Sequence, residues 1–128
     1  MRWEFDSSSV AEATASRRQF VSILRRLGDD ASDFDAAELI FGELIGNVVR
    51  HAPGTVRVVL AWNARYAVLI VHDRWKPFVP AFALPADAFA ETGRGLFLVK
   101  MLARSVRVVD VPGNGTTVTV ELPVARRA

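Results

Sequence analysis

The chain has no cysteine, which removes disulfides, thiol nucleophiles, iron–sulfur clusters and cysteine-ligated zinc at once. Lysine is nearly absent too: 14 of the 16 basic residues are arginine, and they lie scattered along the sequence. The pI near 9.7 therefore reflects arginine in a chain whose 16 basic and 14 acidic groups almost cancel, and not the clustered positive stripe that grips a phosphate backbone, so no direct nucleic-acid binding is expected. No run approaches the ~18 consecutive apolar residues of a membrane span. The first six residues, Met1-Arg2-Trp3-Glu4-Phe5-Asp6, carry two acids where a secretion signal carries an apolar segment. The expectation is a cytoplasmic chain without membrane attachment. There are only two histidines, His51 and His72, in no ligand spacing with one another, and no zinc is expected.

What is present is apolar enough to fold: 128 residues at 51% hydrophobic support one core, expected as a single domain over 1–128 with its body at about 5–123. Residues 2–6 alternate in period two, an edge strand with Trp3 and Phe5 inward. Ser7-Ser8-Ser9 precedes a helix over 10–27, with Glu12 in capping-box position to Ser9 and Gly28 as its stop. Val10, Ala13, Phe20, Val21, Leu24 and Leu27 form its apolar set. A second helix runs from Phe34 to His51, capped by Asp33 or Asp35 and ended by Pro53-Gly54. Residues 55–62 and 66–72 are β-branched or aromatic runs forming a hairpin. The pattern dissolves over 74–92, where three prolines interrupt an alanine-rich stretch compatible with a short helical turn at 86–90. A third helix opens at Gly93-Arg94-Gly95, and strands 105–111 and 116–122 flank the turn 112–115. The order β-α-α-β-β-loop-α-β-β predicts an α+β two-layer sandwich with a mixed, mostly antiparallel sheet packed on helices.

Four places carry chemistry. Glu43 and Asn47 are one turn apart on an otherwise apolar helix, so an acid able to accept a proton and an amide oxygen able to ligate Mg²⁺ share a face; a plain solvent-facing polar pair has the same spacing. Gly46 between them costs helix stability and is easier to explain where something approaches closely. Asp73 follows an apolar strand and can accept a hydrogen bond from an exocyclic amine, or begin a turn. Gly93-Arg94-Gly95-Leu96 opens a helix with backbone amides clear of Cβ atoms, a phosphate site or a flexible entry. Gly115-Thr116-Thr117 completes the series beside a hairpin turn. The unstructured 74–92 segment is long enough for a lid.

Taken together, Glu43-x-x-x-Asn47 with His51-Ala52, then Asp73, Gly93-x-Gly95-Leu96 and Gly115-Thr116-Thr117, resemble the GHKL ATP-binding fold. Within it the chain is most similar to stand-alone anti-sigma factor serine/threonine kinases and their histidine kinase-like ATPase relatives. The resemblance covers about 5–123. It implies ATP and Mg²⁺ as ligands, Glu43 as general base, Asn47 as the Mg²⁺ ligand, Asp73 as acceptor for the adenine amine, and Gly93 and Gly95 as a phosphate-cradling turn, with Arg94 and Leu96 in the same segment. Thr117, or Thr116 beside it, would lie near the adenine, and 74–92 would be the lid. The partners it implies are a STAS-type anti-anti-sigma protein as phosphoacceptor and a sigma factor, with a homodimer as the assembly. The chain departs from the pattern after Asp73: Arg74-Trp75-Lys76-Pro77 replaces the family's glycines, leaving Trp75 to stack on adenine or fill the pocket. That departure keeps a non-catalytic nucleotide- or partner-binding module as the alternative. The detached ATP-binding half of a histidine kinase is expected less, for want of an upstream segment with a phosphoacceptor histidine.

Overall fold

The computed structural model describes residues 1–51, 54–73, 93–111 and 114–128. The elements are β1 (Arg2–Asp6), α1 (Val10–Leu27), α2 (Phe34–His51), β2 (Thr55–Trp62), β3 (Tyr66–Asp73), α3 (Gly93–Leu102), β4 (Ser105–Val111) and β5 (Gly115–Ala125). The five strands form one sheet in the order β1-β2-β3-β5-β4. Every neighbouring pair is antiparallel. The α+β layering expected from the sequence is therefore present, at the antiparallel end of what was predicted. Trp75, the proposed lid at 74–92 with its helical turn, and the 112–113 half of the β-turn lie outside the described residues.

Local chemistry sets the boundaries. Ser9 caps α1 by accepting the Glu12 amide at 3.2 Å. The capping box is only half made, because the Ser9 amide donates to the Asp6 carbonyl at 2.9 Å instead of to a Glu12 carboxylate. Asp6 also receives the amide of Ser8 at 2.8 Å and its hydroxyl, and these two donors hold its carboxyl below the ordinary 3.8, the hydroxyl contributing most. Of the two candidate caps for α2, Asp33 serves, its Oδ1 accepting the Ala36 amide at 3.0 Å. Gly28 ends α1 with an extended backbone, at φ −85°. What requires glycine there is crowding, since a Cβ would meet Leu24 O, Val124 Cγ1 and Phe34 Cε1 within 2.8 Å.

One face of the sheet carries the core. Phe20 and Phe41 stack at 4.5 Å between α1 and α2. With Leu24, Ile40 and Leu44 they cover Val58, Leu69, Val120 and Leu122, all at most 3% exposed. The buried stripe of α1 is Ser16, Phe20 and Leu24. Val10, expected within that stripe, is 72% exposed, because the first residue of the helix stands at the lip of a surface groove between α1 and α2. β5 runs to Ala125, beyond the predicted end at 122, and carries Pro123 through an irregularity where its pairing with β3 jumps from Glu121↔Val68 to Ala125↔Tyr66. A bulge is where a residue without an amide hydrogen fits a central strand. No helix among the described residues is long and apolar enough to cross a membrane.

Candidate functional site

Strand alternation decides which polar side chains meet. Along β3 the odd-numbered residues from Ala67 to Asp73 are buried and the even ones half-buried. Along β5 the even-numbered residues from Thr116 to Val124 are the buried set. Asp73 and Thr116, cross-strand partners in the ladder, therefore stand side by side on the helix-covered face, 4% and 0% exposed. Thr117 points the opposite way. Its hydroxyl lies 2.7 Å from Nδ1 of His72, on the far face of the sheet. The two threonines left as alternatives by the sequence are thus separated by the full thickness of the sheet, and Thr116 is the one that shares a face with Asp73. Thr117 is removed from that group by the period-two pleat.

Above Asp73 runs α2. Asn47 is 6% exposed, and Glu43 one turn earlier is half-buried. Their neighbours Leu44 and Val48 face the sheet, which places the acid and amide at the margin of the buried stripe. A small cavity of about 10 Å³ lies between the layers, walled by Leu44, Val48, Val71, Leu96, Val108 and Val118, with Asn47 and Asp73 as its polar lining. Three strands and two helices thus meet around one amide and one carboxylate. Glu43 flanks this cavity and does not line it. Leu96, fixed against the core at 3% exposure, anchors the first turn of α3 beside the cavity. That helix begins at Gly93 and has no acidic residue in its first turn. The first amides of an α-helix have no partner within the helix, so the start of α3, whose Leu96 stands beside Asn47 and Asp73, is suited to an anion. The Arg94 side chain lies outside the described set.

One residue that the sequence reading passed over belongs to this group. Asp110 of β4 pairs in register with Thr116, and its Oδ1 accepts the Thr116 hydroxyl at 3.2 Å. The signal was positional: by the alternation in 105–111, Asp110 falls on the same face as Val106 and Val108, although it is itself exposed, one residue from the end of the strand.

The residues present suit a nucleotide and its metal. Buried polar groups in an otherwise apolar cleft between sheet and helices, next to a helix N-terminus, match a base and its phosphates. No three His, Asp or Glu side chains among the described residues converge as a protein-only metal cage. Mg²⁺ is ordinarily held by one or two protein oxygens together with substrate phosphates, which Asn47 and Glu43 could supply. A wider cleft, about 220 Å³, opens on the far face among Glu4, Thr55, Arg57 and His72, on the other side of the sheet from Asn47 and Asp73. Arg57 and Glu4 pair across it at 3.6 Å.

The sequence pattern of the family described as histidine kinase-like ATPase domain matches residues 7–122. A sensor histidine kinase, PdtaS, of Mycolicibacterium smegmatis is 28% identical over 110 residues, covering 77% of this chain and 21% of that protein. The chain spans about a fifth of the length of that relative.

Proposed function

The chain belongs to the histidine kinase-like ATPase domain family, an ATP-binding domain of kinase type, and from that premise we propose that it is an anti-sigma-type serine/threonine kinase acting on a STAS-type partner. The observation that carries the nucleotide half is the meeting of Asn47, Asp73 and Thr116 on one covered face beneath the N-terminus of α3. In this reading Asp73 accepts the adenine amine and Thr116 stands beside it. Gly93, Gly95, Leu96 and Arg94 hold the phosphates, and Trp75 stacks on the base. Asn47 would hold Mg²⁺ through its amide oxygen, and the ion would supply positive charge beside the phosphates. In the same reading Glu43, half-buried and not part of the cavity lining, takes a proton from a hydroxyl that approaches from solvent. The terminal phosphoryl group passes to that hydroxyl oxygen, the bond to the bridging oxygen of ADP breaks, and the proton goes to Glu43. The cavity as it stands would hold little more than a water. Seating a base therefore requires this cavity to widen. A sigma factor is the further partner proposed, and a homodimer the assembly.

Two observations favour other readings. The similarity to a sensor histidine kinase favours phosphoryl transfer to a histidine, and Arg74-Trp75-Lys76-Pro77 after Asp73 favours a binding module without transfer. One experiment separates all three. The protein is titrated with ATP and Mg²⁺ by calorimetry, then incubated with γ-labelled ATP and either a STAS protein or a histidine-bearing dimerisation domain. Acid-stable label on the STAS protein supports the serine/threonine reading, and acid-labile label on the other acceptor replaces it. Saturable ATP binding without label supports the binding module. No binding at millimolar ATP refutes the nucleotide assignment.

A further inference from the structure

We infer that β1 is the edge through which two copies of this chain join, each laying its first strand antiparallel to the other's so that one sheet runs across a two-fold axis. The inference supplies an interface for the homodimer proposed above and rests on that reading. β1 stands at one end of the sheet and pairs with β2 alone. Met1 and Leu60 exchange main-chain hydrogen bonds, at 3.0 and 2.8 Å. In an antiparallel pair such positions alternate with others whose amide and carbonyl point away from the neighbouring strand, so Arg2 and Glu4 direct theirs outward. Outside the β1–β2 ladder, no hydrogen bond among the described residues engages the main chain of Arg2 or Glu4. Space lies beside them: a groove of about 320 Å³ runs between β1 and the Glu12, Ala15, Ser16 and Gln19 stripe of α1.

An open edge accepts any extended segment, and the side chains of β1 select a second copy. A two-fold axis normal to the sheet keeps each face on its own side, so only residues of one face meet. Centred on Trp3, the axis sets Arg2 opposite Glu4 of the second copy and Glu4 opposite that copy's Arg2, each couple exchanging both main-chain hydrogen bonds. These side chains, 58% and 47% exposed and 3.4 Å apart within one chain, then form oppositely charged cross-strand pairs. Trp3 meets its own copy on the axis, on the helix-covered face, where the small Ala15 and Ser16 border the groove. Moving the centre to Glu4 would set that carboxylate against itself. The other edge of the sheet lacks this complementarity: β4 pairs with β5 alone, and Ser105, Arg107, Val109 and Val111 give its far face a base without an acid.

Sedimentation equilibrium tests this with wild type, Arg2→Glu, Glu4→Arg, an equimolar mixture of those two variants, and the double variant Arg2→Glu/Glu4→Arg. Wild type should dimerise. Each single variant sets like charges opposite one another at both couples and should weaken the dimer roughly tenfold or more, while circular dichroism stays native. The mixture opposes acid to base at both couples, so its mixed dimer should return to near wild-type affinity. The double variant does the same within one sequence and should dimerise alone. Single variants whose dimer constants stay within about threefold of wild type, a mixture no tighter than its components, or a monomeric double variant would overturn the interface and leave the homodimer standing. A wild-type chain that remains monomeric at submillimolar concentration overturns the homodimer and this inference together, and leaves the edge to an extended segment of another protein.

Discussion

Replacing Gly28 by alanine adds one methyl group where α1, α2 and β5 converge. The added carbon would stand 2.7 Å from the Leu24 carbonyl oxygen, 2.7 Å from Val124 Cγ1 and 2.8 Å from Phe34 Cε1. Comfortable carbon contacts lie near 3.5–4.0 Å, so at least two of these are short by close to an ångström. None is a loose end: the Leu24 oxygen already accepts the Gly28 amide at 2.7 Å, and Val124 is fully buried. Relief requires the end of α1 to move away from β5 and from the start of α2. Overpacking of this kind costs about 1–3 kcal/mol. At φ −85° alanine is sterically allowed, so a stiffer unfolded chain returns about 0.4–1 kcal/mol. The net loss is about 1–2 kcal/mol, or a fall of roughly 4–8 °C in Tm for a domain of this size. Thermal unfolding followed by circular dichroism measures it. Gly42→Ala is the control, because the nearest obstruction is the mobile Arg17 guanidinium at 3.2 Å and alanine within a helix gains about 0.5–1 kcal/mol over glycine. Its Tm should hold or rise. A Gly28→Ala Tm within ~1 °C of wild type, or a Gly42→Ala Tm that falls equally far, would refute the packing argument.

Asn47→Ala should weaken ATP binding measured with Mg²⁺ and leave the affinity in EDTA nearly unchanged, since only the metal-dependent part passes through its amide oxygen; calorimetry in both buffers checks this. Phe41→Ala should cost about 3–5 kcal/mol in urea unfolding, because the ring is buried against Phe20 and meets Trp3 edge-on at 6.5 Å. Asp6 should contribute to the acid limb of stability. Its folded carboxyl lies below the ordinary 3.8 because of the Ser8 hydroxyl and amide, so its contribution is complete above that value and disappears as pH falls through the lower folded one. The stability gap between wild type and Asp6→Asn should accordingly be constant from about pH 7 to 5 and close below about pH 4; a gap that widens in acid would contradict the assignment.

The elements were legible because periodicity survives wherever one face is buried: α2 repeats its apolar residues at helical spacing, and β2, β3 and β5 alternate. Features set by a single residue of register or by a distant partner were not. Which threonine joins Asp73 depends on how β5 is aligned against β3. Thr116 and Thr117 are chemically alike, and only the pairing Thr116↔Asp73 separates them. The choice of Asp33 over Asp35 as cap is settled by which carboxylate reaches the Ala36 amide, and the exposure of Val10 by its place beside the groove between α1 and α2. Asp110 shows the opposite case, a residue whose strand pattern marked it and whose meaning came from a neighbour six residues on.

The sheet is polar in another sense, along its length. β3 leaves it at Asp73, β5 enters at Gly115, α2 finishes at His51 and α3 starts at Gly93, all at one end. Both chain ends are fastened toward the other: the Met1 ammonium donates to Leu60 O at 3.0 Å, and the amides of Arg126 and Arg127 donate to Arg65 O and Leu27 O, each at 2.9 Å. A purification tag, fluorophore or surface tether attached at either terminus will therefore hang from the base of the molecule. Immobilised through its C-terminus, the protein would present Asn47, Asp73 and the start of α3 outward, the orientation that a nucleotide-binding or partner-capture assay needs.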